Sequence, residues 1–362
     1  TNPAAAPMVM PAWENGTWSV MVHGSAFVNQ MWQSGPRGGD KLFSTNWVMG
    51  MADRPLGGGH LMLRGMFSLE PATITNRRYP ELFQTGETAY GQPLRDAQHP
   101  HDFFMELAAE YAYAIAPGTI GYVYAAPVGD PSLGPVAFPH RASAQELPQA
   151  TLAHHTEDST HIAASVVTIG AKRGIFGAAL SGFHGGEPDE NRWNIDTGAI
   201  DSWAVRLTAD PTKNWTAQIS TGHLRRPERL EPGNVQRTTA SVAYSVPNWS
   251  SSLIFGHNDK SSGASTNAWT AETLYQLMEK NWLTARGEIV DKDELFGDGT
   301  VHTIKALTLG YTRDLVTNAT LIGGVGGNVT FYSVPAAIRP AYGSSPHSFY
   351  LYVRVRSAAM SM

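Results

Sequence analysis

Apolar residues alternate with small or polar residues along almost the whole chain, and the 3.6-residue periodicity of helices is almost absent. The alternating segments are roughly 9–14 residues long, the length that a tilted strand needs to cross a bilayer. About sixteen segments are predicted strands, an even number as in bacterial single-chain barrels. Their approximate bounds are 17–32, 41–52, 59–70, 102–115, 118–127, 161–172, 174–184, 200–210, 214–224, 236–247, 249–258, 267–279, 282–291, 302–313, 318–332 and 347–357.

The connections between these segments alternate between short and long along the chain. In a closed sheet of hairpins, successive connections lie at opposite rims, and outer-membrane barrels have short periplasmic turns and long extracellular loops. The sequence therefore predicts an all-β fold, a membrane-spanning up-and-down antiparallel β-barrel. Its long connections are expected near 33–40, 71–101, 128–160, 185–199, 225–235, 259–266, 292–301 and 333–346.

A single barrel domain is predicted over residues 17–357, between a periplasmic lead-in at 1–16 and a C-terminal tail at 358–362. The small, proline-rich start of the chain is expected of a mature protein that has lost an export leader. The loops at 71–101 and 128–160 are too long for plain connectors, because structureless loops beyond about 12–15 residues are usually functional or disordered. We expect them to narrow the mouth of the barrel.

In six of the predicted strands, every charged residue falls on the parity opposite to the large apolar residues. In the third strand, Leu61 and Leu63 oppose Arg64, and in the last strand Leu351 opposes Arg354. Lipid would enforce this pattern, because an outward Arg or Lys at mid-bilayer costs roughly 2–4 kcal/mol. An antiparallel sheet with one wet face alternates equally well, but so many strands with no covering helices favour the barrel. Lys305 breaks the rule near a strand end, where a bulge or a headgroup contact would tolerate it.

Tryptophans mark the short-turn ends of several strands. The pairs Asn214-Trp215, Asn248-Trp249 and Asn281-Trp282 each follow a short turn, as expected of interfacial aromatic residues. Trp282 has the wrong parity for its strand and is predicted to belong to the turn itself.

Composition narrows the function classes. The net charge of -5 gives no electrostatic footprint for nucleic acid, and the absence of cysteine excludes disulfides, zinc thiolates and catalytic thiols. The sequence has no run of about 18 apolar residues, so no transmembrane helix is predicted.

Motifs in the two long loops resemble those of bacterial outer-membrane β-barrels of the porin type, within one large and mostly uncharacterised family. The motifs are QTGE at 84–87, PLRDAQHPHD at 93–102, GPVAFPHR at 134–141 and the pair His154-His155. The resemblance covers about 80–170 and implies a barrel in the outer membrane of a Gram-negative cell, with no particular substrate. Many such barrels end on an aromatic residue of the final strand, whereas this chain continues to Met362.

Side chains cannot fill a barrel of about sixteen strands, so an aqueous lumen is expected. The mixed charge predicted to line it favours a pore for small polar solutes or ions over a strongly ion-selective channel. Alternatively, these side chains pair across the lumen and stiffen the wall. The predicted lining residues are Arg64, Glu70, Glu106, Glu110, Arg206, Glu272, Arg286, Glu288, Arg354 and Arg356.

Six of the 13 histidines lie between residues 71 and 161, in or directly beside the two long loops and close to carboxylates. Imidazole with carboxylate suits a transition metal such as Zn or Cu. Packing and hydrogen bonding to loop backbone is the alternative role for these residues. His23 and His60, with Met21, Met62 and Met66, form a second set that would suit Cu(I), although methionine also fills space. The tentative metal ligands in the loops are His99, His101, Asp102, His140, His154, His155 and His161.

Two other function classes stay open. Ser159 lies between Glu157/Asp158 and His161, the residue types of an outer-membrane lipid hydrolase, but a triad is recognised by geometry and not by sequence proximity. The second alternative is a non-conducting barrel that serves as a structural or docking component of an envelope complex. Our main expectation is a non-enzymatic pore in contact with outer-membrane lipid, with homo-oligomers or an envelope complex as further partners.

Overall fold

A computed structural model of the chain describes residues 4–5, 13–15 and 18–358. Most of the predicted lead-in and tail therefore lies outside the described residues. The strands are β1 Trp13–Asn15, β2 Trp18–Gln33, β3 Asp40–Leu56, β4 Gly59–Phe67, β5 Tyr79–Ala89, β6 Gln92–Gln98, β7 Phe104–Ala116, β8 Thr119–Gly129, β9 Ala163–Arg173, β10 Phe176–His184, β11 Ser202–Thr212, β12 Trp215–Leu224, β13 Val235–Val246, β14 Trp249–Lys260, β15 Thr266–Leu277, β16 Asn281–Lys292, β17 His302–Thr317, β18 Leu321–Ser333 and β19 His347–Ser357.

Sixteen of these strands, β2–β4 and β7–β19, form one closed antiparallel barrel. Each barrel strand pairs with the next barrel strand along the chain, and β19 closes the ring on β2 from Ser348↔Gln33 to Arg356↔Ser25. The prediction of an all-β up-and-down barrel is confirmed, and each predicted strand has its counterpart with bounds that agree within four residues. Tight turns lie at one rim, here named the short-turn rim, and the longer connections lie at the long-loop rim.

The wall has an apolar outside and a polar inside. Leu207, Ile219 and Leu253 are about half exposed on the outer face, while the alternate residues of their strands point inward. Lys305 is exposed on the outer face, four residues into β17 at the long-loop rim. The bulge in β17 lies between Asp314 and Val316, too far away to explain the outward position of Lys305. Its location at the rim, where the side chain can reach water and headgroups, explains it.

The prediction for Trp282 is wrong, because this residue belongs to β16 and faces the lumen. Its indole N–H donates to Asp314 Oδ2 at 2.9 Å, and Arg356 lies over its ring. Trp215 and Trp249 instead point outward at the short-turn rim, where the sequence placed them.

Helices are few and short. The α-helices are α1 Glu70–Thr73, α2 His154–Glu157 and α3 Arg339–Tyr342, and the 3₁₀ turns are Thr75–Arg77, Phe138–His140, Ser159–His161 and Ala336–Ile338. Among the described residues, no helix has the length and hydropathy that a membrane-spanning helix needs.

Two long loops enter the lumen instead of narrowing only its mouth. The inner hairpin loop, residues 68–103, carries the hairpin of β5 and β6, which the sequence did not predict. The crossing loop, residues 130–162, runs from β8 to β9 through the interior. Along its course Ser132 N–H donates to Ser181 in β10 at 2.7 Å, and Gln149 exchanges hydrogen bonds with Asn328 in β18.

The deepest part of the crossing loop lies near the short-turn rim. Glu146 contacts Arg354, three residues before the end of β19, and it has no exposed surface. Ala4 and Ala5 also lie in the lumen, where Ala5 bridges to Arg141 and Ala4 O accepts from Ala142 N–H at 2.9 Å. These two residues of the predicted periplasmic lead-in are therefore inside the barrel.

Candidate functional site in the lumen

Nine of the ten predicted lumen charges project inward from barrel strands, and most of them hold the loops. Glu272 accepts from Arg286 at 2.8 Å and from Arg141 of the crossing loop at 2.9 Å. Arg141 also pairs with Asp158 at 2.5 Å, while Glu288 accepts from Leu152 N–H at 2.7 Å. These buried contacts fix the crossing loop to the wall.

A second buried group lies close to the short-turn rim. Arg354 pairs with both Glu146 and Asp314, and Arg356 Nε lies 3.3 Å from Glu146. Tyr352 donates its hydroxyl proton to the backbone oxygen of Glu146 at 2.9 Å. The tip of the crossing loop is thus held by two arginines and a tyrosine of the wall.

Only part of the predicted lining lies in open space. Arg64 lies 3.5 Å from Glu106 and 3.7 Å from Glu110, with Arg64 and Glu110 partly exposed. Arg206 donates to Gly134 O at 3.3 Å. Glu70 differs from the prediction, because it begins α1 in the inner hairpin loop and is not a strand residue. It accepts from His101 N–H at 2.8 Å.

Arg64, Glu106 and Arg206 border a cavity of about 290 Å³, here named the vestibule. The vestibule reaches Thr216, the second residue of β12 at the short-turn rim, and its other end lies against the crossing loop. Its lining includes Arg64, Arg206, Met49, Met51, His140 and His161.

Five of the predicted metal ligands form one connected cluster of imidazole rings inside the barrel. Ring centroids lie 5.1 Å apart for His154 and His155, 5.9 Å for His99 and His155, and 5.4 Å for His154 and His161. His101 joins the cluster through His161 at 5.6 Å. The inner hairpin loop supplies two of these rings, and α2 and the 3₁₀ turn after it supply the others.

The cluster has the hydrogen-bond pattern of ligating histidines, whose second ring nitrogen is held by a carboxylate or a carbonyl. His99 Nδ1 lies 3.1 Å from Pro100 O, and His101 Nδ1 lies 3.0 Å from Glu70 Oε2. His154 Nδ1 lies 2.7 Å from Asp158 Oδ1, and His161 Nδ1 lies 2.8 Å from Asp158 O. Each contact favours the tautomer with its proton on Nδ1 and a lone pair on Nε2.

Three of these Nε2 atoms are buried and unsatisfied. No hydrogen-bond partner for the Nε2 of His99, His101 or His161 exists among the described residues. His99 Nε2 does lie 3.1 Å from Glu87 Oε1, but not in hydrogen-bonding geometry. Buried polar groups are normally satisfied, so these three nitrogens are candidate ligand atoms.

Among the predicted ligands, His99, His154 and His155 form a set whose ligand atoms all lie within 4.8 Å of one another. The other predicted ligands do not join this set. Asp102 lies 3.5 Å from Arg192, which also pairs with Glu87. His140 lies nearer the short-turn rim, against Trp47 at a centroid distance of 4.2 Å.

The methionine and histidine set of the wall is divided. His23 contacts Trp47 at a centroid distance of 5.0 Å, whereas His60 is exposed at the short-turn rim, 3.5 Å from Asp53. Met66 packs in an apolar cluster with Met21 and Met62 beside it. The thioethers therefore have apolar packing partners.

Burial controls the charge of the cluster. Burial lowers the pKa of His99, His154 and His161, which keeps these rings neutral and able to ligate. Burial also disfavours the charged form of His155, but Glu187 reverses the effect and the pKa of His155 is raised. The pKa of His101 is raised as well, because Glu70 outweighs its burial, so the cluster combines three neutral rings with two whose protonated form a carboxylate favours.

Several residues around the cluster were not predicted. Glu87 and Arg192 form a buried pair across 105 residues of sequence, and Glu187 lies 3.3 Å from His155 Nδ1. Glu87 belongs to the QTGE motif, which was the only signal for it. The sequence carries no signal for Glu187, because it meets the histidines only through the path of a separate loop.

Ser159 does not have the geometry of a hydrolase triad. Its hydroxyl accepts from Arg237 at 2.9 Å inside the lumen, and the neighbouring His161 is bonded to a backbone oxygen.

No protein-family model and no curated protein matches the chain. Its assignment to the family with the QTGE and QHPHD loop motifs therefore stays a prediction. Several solved structures are similar in fold. Salmonella typhi OmpF, in complex with daunomycin, is 10% identical over 96% of this chain and 100% of its own, with a TM-score of 0.58. An anion-selective porin from Comamonas acidovorans is 11% identical over 94% of this chain and 99% of its own, with a TM-score of 0.60.

The outer membrane channel DcaP of Acinetobacter baumannii is 8% identical over 96% of this chain and 100% of its own, with a TM-score of 0.56. At such low identity these likenesses concern the fold, and they agree with the strand order and closure described above. The chain has the closed sixteen-strand antiparallel barrel fold of bacterial porins.

Proposed function

We propose that this protein is an outer-membrane channel for small polar solutes or ions, held narrow by the crossing loop and the inner hairpin loop. Its apolar outer face and its fold likeness to porins and an outer membrane channel support this proposal. The lumen between the loops and the short-turn rim keeps a mixed-charge vestibule, which suits small polar cargo. Association into homo-oligomers or with an envelope complex stays a prediction.

We further propose that His99, His154 and His155 bind a transition metal such as Zn or Cu where the two loops meet. The observation that carries this part is the convergence of three imidazoles within 4.8 Å, together with the unsatisfied Nε2 of His99. Zinc sites commonly use imidazole nitrogens with a carboxylate, and Glu87 beside His99 is the nearest candidate for a fourth ligand. Such an ion would join the two loops and rigidify the constriction.

The experiment is metal binding by the folded protein with a matched histidine control. After loading and dialysis, elemental analysis should find about one Zn or Cu per chain, and Zn should raise the unfolding temperature. His154→Gln should abolish both effects, whereas His347→Gln, an exposed histidine bonded to Ser345 O, should change neither. Metal-free protein with no thermal shift on adding Zn or Cu would reject the site.

Conductance in planar bilayers tests the channel itself. We expect small, infrequent openings of the wild type and larger ones after removal of residues 139–150 from the crossing loop. Because the crossing loop is buried along most of its length, the specific alternative is a barrel that never conducts and serves as a structural or docking component of an envelope complex. Folded wild type and folded deletion variant that both fail to conduct would favour that alternative.

A further inference from the structure

A continuous series of metal-ligating side chains leads from the long-loop rim to the vestibule. We propose that this series, named here the ligand row, is a route for divalent transition-metal cations, so that the cargo of the channel is a cation of the Zn²⁺ class. The inference deepens the proposed function and depends on it. The ligand row consists of Glu231, Glu228, Glu187, His155, His154 and His161.

The outer end of the ligand row is a carboxylate site in the long loops. Ligand atoms of Glu228, Glu231 and Glu294 lie within 4.8 Å of one another, and those of Glu228, Glu187 and His155 meet the same limit. Glu228 belongs to both carboxylate-containing sets, and His155 belongs to the second of them and to the three-histidine set. Neighbouring sets therefore share one ligand. A cation can therefore exchange ligands from one set to the next without losing all of them.

Exposure falls along the row from the mouth inward. The side chain of Glu231 is 41% exposed, those of Glu187 and His155 are 11% each, and that of His154 is 2%. A cation arriving at the mouth would thus first meet an accessible carboxylate, then a largely buried one and finally buried imidazoles. This gradient is what a path requires, and an isolated structural site does not need it.

The inner end of the row opens on the vestibule. The ring of His154 lies 5.4 Å from that of His161, and His161 lines the vestibule wall. His161 is 8% exposed, and the described part of the chain offers its Nε2 no partner. A buried imidazole with a free lone pair between the three-histidine set and a cavity is a ligand without an assigned role.

Ligand chemistry selects the class of cation. Mg²⁺ and Ca²⁺ prefer oxygen ligands, whereas imidazole suits Zn, Cu and Ni. The carboxylates at the mouth would accept either class, and the imidazoles further in would pass only the second. The ammonium of Lys260 lies 3.1 Å from Glu231, 2.9 Å from Asp293 and 3.0 Å from Glu294. An entering cation must therefore compete with this ammonium for the carboxylates.

The test is cation influx into liposomes that contain the full-length protein and a Zn²⁺-sensitive or Mg²⁺-sensitive dye. We expect Zn²⁺ to enter at least tenfold faster than Mg²⁺. Glu228→Gln should slow Zn²⁺ entry about tenfold, and Lys260→Gln should speed it several-fold, because the carboxylates lose their internal cation. Glu279→Gln, in an exposed turn at the short-turn rim, is the matched control and should change nothing.

The outcomes separate the two proposals. Equal entry of Zn²⁺ and Mg²⁺, unaffected by Glu228→Gln, would overturn the ligand row and leave the general channel standing. Folded protein that binds Zn²⁺ but admits none, while a neutral sugar enters, would show a structural metal site and also overturn the inference. Failure of every solute and ion to enter would overturn the proposed function together with the route.

Discussion

Replacing Glu146 by Gln should release the tip of the crossing loop and open the channel. The carboxylate is fully buried against Arg354 and lies 3.3 Å from Arg356 Nε, while the Tyr352 hydroxyl holds only its backbone oxygen. The amide keeps the shape of the side chain but leaves Arg356 without a carboxylate in this pair. Breaking a buried ion pair from one side costs about 3–5 kcal/mol.

The lower limit of that range applies here, because Arg354 keeps Asp314 as a partner. A change of about 1.4 kcal/mol is tenfold in an equilibrium constant, so ~3 kcal/mol makes the undocked loop roughly a hundredfold more populated. Single-channel recording should show this as a comparable rise in the fraction of time spent in a high-conductance state.

Glu110→Gln is the matched control, since it removes a lumen carboxylate that does not touch the loop. Glu110 lies 3.7 Å from Arg64, and both side chains are more than a quarter exposed. Such pairs contribute about 0–1 kcal/mol, so the open fraction should change less than about fivefold. Equal open fractions for folded Glu146→Gln and folded Glu110→Gln would refute the view that this ion pair holds the constriction closed.

Two further predictions concern the hairpin and the wall. Burial raises the pKa of Glu81, whose carboxylate accepts from Tyr350, to about 8, so the docked hairpin favours the protonated acid and its docking should weaken as pH rises from about 4.5 to 8. Limited proteolysis between residues 79 and 98 should therefore accelerate over that window in the wild type but not in Glu81→Gln, and identical pH profiles would contradict this. Leu309→Lys, at the centre of β17 on the apolar face, should lower the free energy of unfolding in lipid by roughly 2–4 kcal/mol. Lys305→Gln, at the long-loop rim, is the control. Equal free energies of unfolding for the Leu309→Lys and Lys305→Gln variants would mean that the apolar face does not contact lipid.

The barrel wall could be predicted because each strand carries its own evidence. Inward and outward positions alternate with a period of two residues, so a local pattern decides where Leu63 and Arg64 point. Trp282 shows the limit of that logic. Its inward parity was visible, but the reason an indole can face the lumen is the distant carboxylate of Asp314.

The inner hairpin could not be predicted from alternation, because both faces of β5 are buried. Its register is also interrupted, and Phe83, Glu87 and Asp96 have positive φ angles that ordinary strands avoid. The histidines in the loops were visible as candidates, but which of them meet depends on the course of the loops. His99 and His155 come together from separate loops, and no pattern of spacing records such a contact.

The crossing loop has a consequence for the order in which the molecule can assemble. Its buried partners include Ser181, Ser220, Glu272, Asn328 and Arg354, which lie on strands spread from β10 to β19. All of these strands follow the loop in the chain, and each must be in place before the loop can make its contact with it. The contacts that hold the loop can therefore be completed only after β19 has joined the ring, so docking of the loop cannot be finished before closure of the barrel.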